Sequence, residues 1–182
     1  MTDVPRRTEV LSVRRLGPAE WAVLRALRLA ALGDAPSAFL ADLAVEARRP
    51  PTEWISRCLA SDWLVVTVDD RDAGLVSLAR RPGDEVAHVE GMWVTPQARG
   101  RGAARLLLRT VEVLAGQRGE TTVGLWVFDC NPAARSFYER FGYRAVRPVP
   151  RRQRLRDVPG HERDGRIEEE LRKPLWAGCA VP

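Results

Sequence analysis

The spacing of hydrophobic positions along the chain predicts seven strands and four helices. Helical spacing is clearest where Ala104, Leu107, Leu108 and Val111 recur at intervals of three and four residues. Short runs rich in Val, Leu and Trp, bounded by Gly, Pro and Asp, predict the strands. We expect strands at residues 10–14, 63–68, 74–79, 86–94, 123–128 and 166–175, with one more before the last, and helices at 18–33, 51–59, 102–118 and 131–141.

The order β-α-α-β-β-β-α-β-α-β-β predicts an α/β (α+β) fold, a mixed sheet with helices on its faces. At 182 residues the chain fits a single domain with a core of its own. We expect a flexible N-terminus over 1–9, the domain over 10–176 and a tail over 177–182. Three consecutive glutamates, beginning at Glu168, make the last strand poor by propensity, so it is expected at or near a sheet edge. Residues 34–50 are expected to form a loop with one helical turn.

Positive charge exceeds negative charge, with 29 basic against 24 acidic residues and a net charge of +5. Only Lys173 among the basic residues is a lysine, so the surface is rich in the bidentate donors that bind phosphate and carboxylate. Six arginines and no acidic residue lie in 144–156, within a basic loop (144–166) expected before the last strand. Because that run has no interleaved aromatic residues and no recognition motif accompanies it, we expect no nucleic-acid partner.

Other classes of protein are excluded by what the sequence lacks. No apolar run approaches the roughly 20 residues of a membrane span, so no membrane partner is expected. Cys58, Cys130 and Cys179 are widely spaced and have no neighbouring histidine cluster, which indicates neither a disulfide framework nor a metal site. A cytoplasmic location is the expectation.

A turn rich in Gly and Arg joins the fourth strand to the long helix over residues 94–104. Glycines allow close backbone approach, and the unpaired N–H groups of a helix start attract an anion, which Arg99 and Arg101 would supplement. An ordinary turn with solvated arginines remains the alternative. The loop matches neither the Walker A pattern nor the G-x-G-x-x-G pattern of dinucleotide folds.

Two segments resemble the GNAT-type N-acetyltransferases. The loop is similar to their acyl-CoA pattern [R/Q]-x-x-G-x-[G/A], with Arg99, Gly102 and Ala104 in the register that fits; a register beginning at Gln97 starts too far before the helix. Residues 131–143 resemble the later N-x-x-A-x-x-x-Y-x-x-x-G-[FY] segment of the family. Residues 27–32 and 36–39 resemble the first helix and following loop of bacterial members, so that the resemblance clearly covers 10–146.

The resemblance implies acetyl-CoA as co-substrate and a mostly antiparallel sheet that splays between its fourth and fifth strands. Pantetheine would then lie along the fourth strand, where a bulge near Gly91 is expected because an isolated glycine in a strand often marks one. Asn131 is assigned to cofactor contact, although helix capping also explains it. The residues assigned to the cofactor are Met92, Trp93 and Val94 for pantetheine and Arg99, Gly100, Arg101, Gly102, Ala103 and Ala104, through their N–H groups, for the pyrophosphate.

The resemblance also implies catalytic roles. Tyr138 matches the tyrosine that protonates the departing thiolate, and its place on an apolar stripe also fits a core residue. Glu90 is the first candidate for the base that deprotonates the amine, and His88 is the second. Both lie on one face of the fourth strand before the expected splay, and either is also explained as an exposed strand residue.

The expected function is acetyl transfer to a primary amine of a small molecule or a peptide. Direct transfer is the family's usual route and is preferred to an acyl-enzyme on Cys130, which adjoins Asn131. Phe39 is a candidate for the acceptor pocket or for the core, and Trp93 and Trp126 are candidates for acceptor contact. A non-catalytic acyl-CoA-binding regulatory protein is the alternative. A homodimer is compatible with the fold.

Overall fold

The computed structural model describes residues 9–146 and 168–175 and contains one seven-stranded sheet with helices on both faces. Three single 3₁₀ turns, Pro18–Glu20, Pro36–Ala38 and Pro96–Ala98, precede α1, α2 and α4. The elements are β1 Leu11–Arg15, α1 Trp21–Asp34, α2 Leu43–Ala47, α3 Pro51–Ala60, β2 Asp62–Val68, β3 Arg71–Ala79, β4 Ala87–Val94, α4 Ala103–Gln117, β5 Thr122–Phe128, α5 Pro132–Arg140, β6 Arg144–Ala145 and β7 Glu168–Pro174.

The sheet order is β1-β2-β3-β4-β5-β7-β6, and every neighbouring pair is antiparallel except β4 and β5. The predicted mixed, mostly antiparallel sheet is therefore confirmed. β7 lies one strand from the edge, as its composition suggested, because the two-residue strand β6 covers its outer side. Two of its acidic side chains contact neighbouring elements. Glu169 forms an ion pair with Arg135 of α5, and Glu170 lies against His88 of β4.

Two apolar layers enclose the sheet. On one face α1 and α3 bury Leu24 and Trp54 against Trp63 of β2 and Trp93 of β4. On the opposite face the apolar stripe of α4, which includes Leu107, packs against β1 to β4, and partly buried residues of α5 complete this layer. We call the first the α1 face of the sheet and the second the α4 face.

A short helix, α2, occupies part of the segment expected to be a loop. The Asp42 side chain caps it by accepting a hydrogen bond from the Val45 amide at 3.0 Å. Glu46 of α2 is only 2% exposed and forms ion pairs with Arg49 and with Arg57 of α3. At five residues, α2 is too short to show a helical period in the sequence, and the buried ion pairs hold it in place.

β4 and β5 separate soon after they meet. Their parallel pairing consists of two residue pairs, Ala87 with Val123 and His88 with Gly124, although both strands continue. The predicted splay between the fourth and fifth strands is thus confirmed. The register between β3 and β4 shifts beside the splay, and Gly91 there has a φ of 64°, which confirms the expected bulge. Because the bulge interrupts the alternation of the strand, the consecutive residues Glu90 and Gly91 both face the α1 side of the sheet.

Several expectations concern residues outside the described part of the chain. The flexible N-terminus (1–9) is described only at its last residue, and the tail (177–182) lies wholly outside. Of the basic loop (144–166), the structure describes 144–146. Among residues 9–146 and 168–175, no helix is both long enough and apolar enough to cross a membrane.

The Gly91 bulge provides a test of the backbone geometry. We expect Gly91→Ala to destabilise the protein by about 1–3 kcal/mol, because a non-glycine residue is strained at positive φ. The new Cβ would also lie 3.3 Å from the Trp63 ring. Gly116→Ala in α4 is the matched control, since a Cβ there meets no atom within 4 Å. It should stabilise the helix by up to about 1 kcal/mol.

Denaturant unfolding of the three proteins measures both changes. A Gly91→Ala protein as stable as the parent chain would show that the bulge does not require a positive φ.

Candidate functional site

The loop before α4 presents free backbone donors at the start of a helix. Gly100 and Gly102 have φ values of 76° and 90°, and Gly102 is the N-cap of α4. The N–H groups of the first helical residues, Ala103 and Ala104, have no partner within the helix, since the first intrahelical acceptor serves Leu106. The structure differs from the prediction at one donor, because the Arg99 amide already donates to the Pro96 carbonyl at 3.3 Å.

Arg99 and Arg101 do not extend freely from this loop. The Arg99 guanidinium forms an ion pair with Asp34, the last residue of α1, and its Nε donates to the Val94 carbonyl at 3.1 Å. Arg101 forms an ion pair with Glu9 at 2.5 Å. Asp34 also accepts a hydrogen bond from the Trp93 indole N–H at 2.8 Å. That bond, together with Arg99, holds the pKa of Asp34 below its ordinary value. Asp34 therefore ties the loop to α1 and β4.

The backbone of Met92, Trp93 and Val94 lies on the part of β4 that β5 has left. Beyond the bulge, Met92 and Val94 face the α4 side, whereas the Trp93 indole is buried on the α1 face. Trp93 is thus a core residue, and its side chain does not point toward α4. Because a separated strand leaves main-chain donors and acceptors unpaired, an extended group can pair with β4 here.

Helix α5 and its N-cap carry two further residues that the sequence predicts for the site, Asn131 and Tyr138. Asn131 caps the helix by accepting a hydrogen bond from the Ala134 amide at 3.1 Å, and its contact with a cofactor stays a prediction. Tyr138 packs edge-on against Phe137 and Tyr143 on the α4 face. Burial raises the pKa of Tyr138 to about 12, so its phenol stays protonated across the neutral range.

His88 occupies the point where the two halves of the sheet join. It is 1% exposed, and its ring stacks near Trp126 with centroids 6.0 Å apart. Its Nε2 donates to Glu170 Oε1 at 3.1 Å. Burial alone raises the pKa of Glu170, but hydrogen bonds from Arg172 and His88 bring it below the ordinary value. The alternative of an exposed strand residue is therefore wrong for His88.

Glu90 lies on the same face of β4 but past the last residue pair with β5, so the expectation that it precedes the splay is wrong. Its carboxylate is held by both Nη atoms of Arg81, one of them at 2.7 Å. The side chain keeps 29% of its exposure. Glu90 is thus accessible to solvent at the bulge, whereas His88 is buried.

Sequence reasoning missed Asp34 and Arg28, two residues that the fold brings to this site. Arg28 falls four residues after the buried Leu24, so it interrupts the apolar stripe of α1, and that interruption was the available signal. Its side chain reaches the Gly91 bulge and the Phe39 ring. No comparable local signal marks Asp34, since its partners lie 59 and 65 positions away in the chain.

The arrangement combines a helix start suited to an anion, a strand edge suited to an extended chain and a protonated phenol. The carboxylate of Glu90 lies at the bulge on the α1 face. No group of three or more histidine, cysteine or acidic residues suited to a metal ion occurs within residues 9–146 and 168–175.

Comparisons with known proteins agree with this geometry. An uncharacterized N-acetyltransferase of Methanocaldococcus jannaschii is 29% identical over 96 residues, which are 50% of this chain and 42% of that protein. The chain thus spans less than half the length of this relative. The structure of yncA from Salmonella typhimurium with its cofactor acetyl-CoA has a TM-score of 0.68 at 17% identity, covering 95% of this chain and 98% of that one.

The PaiA N-acetyltransferase of Thermoplasma acidophilum, in complex with coenzyme A, has a TM-score of 0.66 at 14% identity and covers 91% of this chain and 99% of its own. At these identities the likeness shows the fold. The model of the acetyltransferase (GNAT) family matches residues 27–143, well over half of the chain. This protein therefore belongs to the GNAT acetyltransferase family.

Proposed function

We propose that this protein is an acetyl-CoA-dependent N-acetyltransferase that transfers the acetyl group directly to a primary amine of a small molecule or peptide. The observation that carries the proposal is the separation of β4 from β5 after His88 and Gly124, directly before the helix start of α4. One site thus offers a strand edge for an extended pantetheine arm and N–H donors for a pyrophosphate.

The chain's own groups fit acetyl-CoA. The backbone of Met92, Trp93 and Val94 would pair with pantetheine, and the N–H groups from Gly100 to Ala104 would bind the pyrophosphate. Such recognition uses main-chain atoms, so it needs few particular side chains. The Arg99 side chain holds the loop in position, since its guanidinium is bound to Asp34 and to the Val94 carbonyl.

Transfer requires one proton acceptor and one proton donor. Glu90 takes the proton that the amine loses as its nitrogen forms a bond to the thioester carbonyl carbon. Tyr138 gives its proton to the sulfur as the carbon–sulfur bond breaks, which leaves an amide and coenzyme A. A phenol with a pKa of about 12 remains protonated until that moment. Cys130 is exposed and takes no part in this route.

The remaining expectations belong to the same proposal. The partner is the amine acceptor alone, with no nucleic acid and no membrane, and a homodimer is compatible with the fold. We propose that the activity is cytoplasmic.

A thiol-release screen with acetyl-CoA and a broad amine library tests the proposal. We expect turnover with at least one amine, and we expect Tyr138→Phe to lower kcat by about 100-fold or more, because the sulfur then lacks its proton donor. Tyr143→Phe is the matched control, since Tyr143 is the chain's other tyrosine and is buried in the core. It should keep kcat near that of the parent chain.

Tight binding of acetyl-CoA without turnover of any amine would contradict the proposal and favour the non-catalytic acyl-CoA-binding protein. Equal losses in the two tyrosine variants would show that the Tyr138 effect is structural.

The pH–rate profile identifies the base. A carboxylate accepts a proton only when it is ionised, so kcat/KM falls as the pH is lowered through the pKa of the base. We expect Glu90→Gln to lower the plateau and to remove this acidic limb. His88→Asn should retain the limb, because His88 is enclosed and bound to Glu170. An unchanged profile in Glu90→Gln, His88→Asn and the double variant would eliminate both residues as the base.

A double-mutant cycle tests how Arg99 acts. We expect Asp34→Ala and Arg99→Ala each to raise the dissociation constant of acetyl-CoA about 5- to 20-fold, or roughly 1–2 kcal/mol. The double variant should bind no worse than either single variant, because both changes remove the same ion pair. Titration calorimetry on the parent chain and the three variants gives the four dissociation constants. Additive losses, or a loss in Arg99→Ala alone, would instead indicate direct contact between Arg99 and the pyrophosphate.

A further inference from the structure

Arg28 of α1 carries a guanidinium that forms no ion pair with any carboxylate in the described part of the chain. Its Nη1 is buried and makes no hydrogen bond to residues 9–146 or 168–175. Buried donors are nearly always paired, so each exception needs an explanation. An arginine cannot escape the cost by losing its proton, because its guanidinium stays charged in proteins.

The surroundings hold this guanidinium at a defined place. Its central carbon lies 4.6 Å from the centroid of the Phe39 ring, which stabilises a cation over the ring face. A Cβ at Gly91 would lie 3.5 Å from Nη1, so the Gly91 backbone approaches on the bulge side. Arg28 is half-buried overall, so its side chain keeps contact with solvent.

The two carboxylates whose charges act on Arg28 are already bound by other arginines. Glu46 is bound by Arg49 and Arg57, and Glu90 is bound by Arg81. Burial lowers the pKa of Arg28, and the charge of Arg57 acts in the same direction, whereas Glu46 and Glu90 oppose it. These acids are therefore close enough to act on Arg28 but are not bonded to it.

Arg28 also lies on the correct side of the sheet for the acceptor. Gly91 and Glu90 both face the α1 side at the bulge, whereas Tyr138 and the α4 loop belong to the α4 side. An amine that gives its proton to Glu90 would therefore approach the sheet on the face where Arg28 lies beside the Gly91 bulge.

We propose that Arg28 binds a carboxylate of the acceptor, so that the acceptor is a small amine with a carboxylate close to its amino group, as in an amino acid. This inference rests on the proposed function. The planar guanidinium matches a carboxylate with two parallel hydrogen bonds, and a partly desolvated site strengthens them. Phe39 and the Gly91 backbone fix the orientation of the Arg28 guanidinium.

Equilibrium binding tests the site without turnover. Calorimetry with α-amino acids and their carboxamides, each with and without saturating coenzyme A, compares ligands that differ in one charge. We expect the acids to bind the parent chain about 10- to 100-fold more tightly than the amides. Arg28→Gln should remove that difference. Arg28→Lys keeps the charge but loses the planar pair of donors, so it should retain only part of the difference.

Arg25→Gln is the matched control on the same helix, because Arg25 donates to the Ala47 carbonyl at 3.0 Å and does not reach the bulge. It should keep the full preference for acids. The comparison of acids with amides in the parent chain needs no variant, so the inference remains falsifiable even where Arg28→Gln does not fold.

Equal binding of acids and amides by the parent chain would overturn the inference, as would no binding of any α-amino acid at millimolar concentration. A preference that survives in folded Arg28→Gln would also overturn it. Preferential binding of acids without release of coenzyme A from acetyl-CoA would support the carboxylate site while contradicting the proposed transferase. Turnover with equal KM values for acids and amides would support the transferase and overturn the Arg28 site.

Discussion

The two halves of the sheet meet where β4 and β5 pair in parallel over only two residue pairs, and the proposed site depends on how short that pairing is. His88 of β4 pairs with Gly124 of β5, and a Cβ at Gly124 would lie 3.0 Å from the His88 ring. Glycine at 124 therefore leaves room for a buried imidazole, which Glu170 of β7 holds by a hydrogen bond. Beyond this junction the strands separate. A longer parallel pairing would close the gap that the proposed pantetheine site requires.

Charge pairs place the remaining parts around this gap. The net charge of +5 suggests an excess of free cations, but Arg99 and Arg101 in the loop before α4 are both paired, with Asp34 and with Glu9. The proposed pyrophosphate site would therefore consist mainly of backbone N–H groups and a helix dipole. Arg28 is different, because its neighbours Glu46 and Glu90 are bound elsewhere. The proposed carboxylate site relies on this unpaired charge.

Much of the fold follows from local patterns. The α4 stripe, the Gly/Arg loop and the helix behind Asn131 are short-range features, and their predicted positions are confirmed to within a few residues. Helix α2 was not predicted in full because five residues give no clear period, and its stability comes from the buried ion pairs of Glu46. The acidic strand β7 contradicts its own propensity because Arg135 and Arg172 form ion pairs with Glu169 and Glu170, and His88 is hydrogen-bonded to Glu170.

The sequence by itself determined the elements, the mixed sheet, the bulge at Gly91 and the loop at the start of α4, since these depend on side-chain period and backbone freedom within a few residues. It also indicated Glu90, His88 and Tyr138 as candidate catalytic residues. Only the tertiary structure decided that His88 is enclosed, that Glu90 lies past the splay and that Arg28 meets the bulge. Those contacts join residues separated by tens of positions. Their pairing depends on which elements pack together, and no local pattern records that choice.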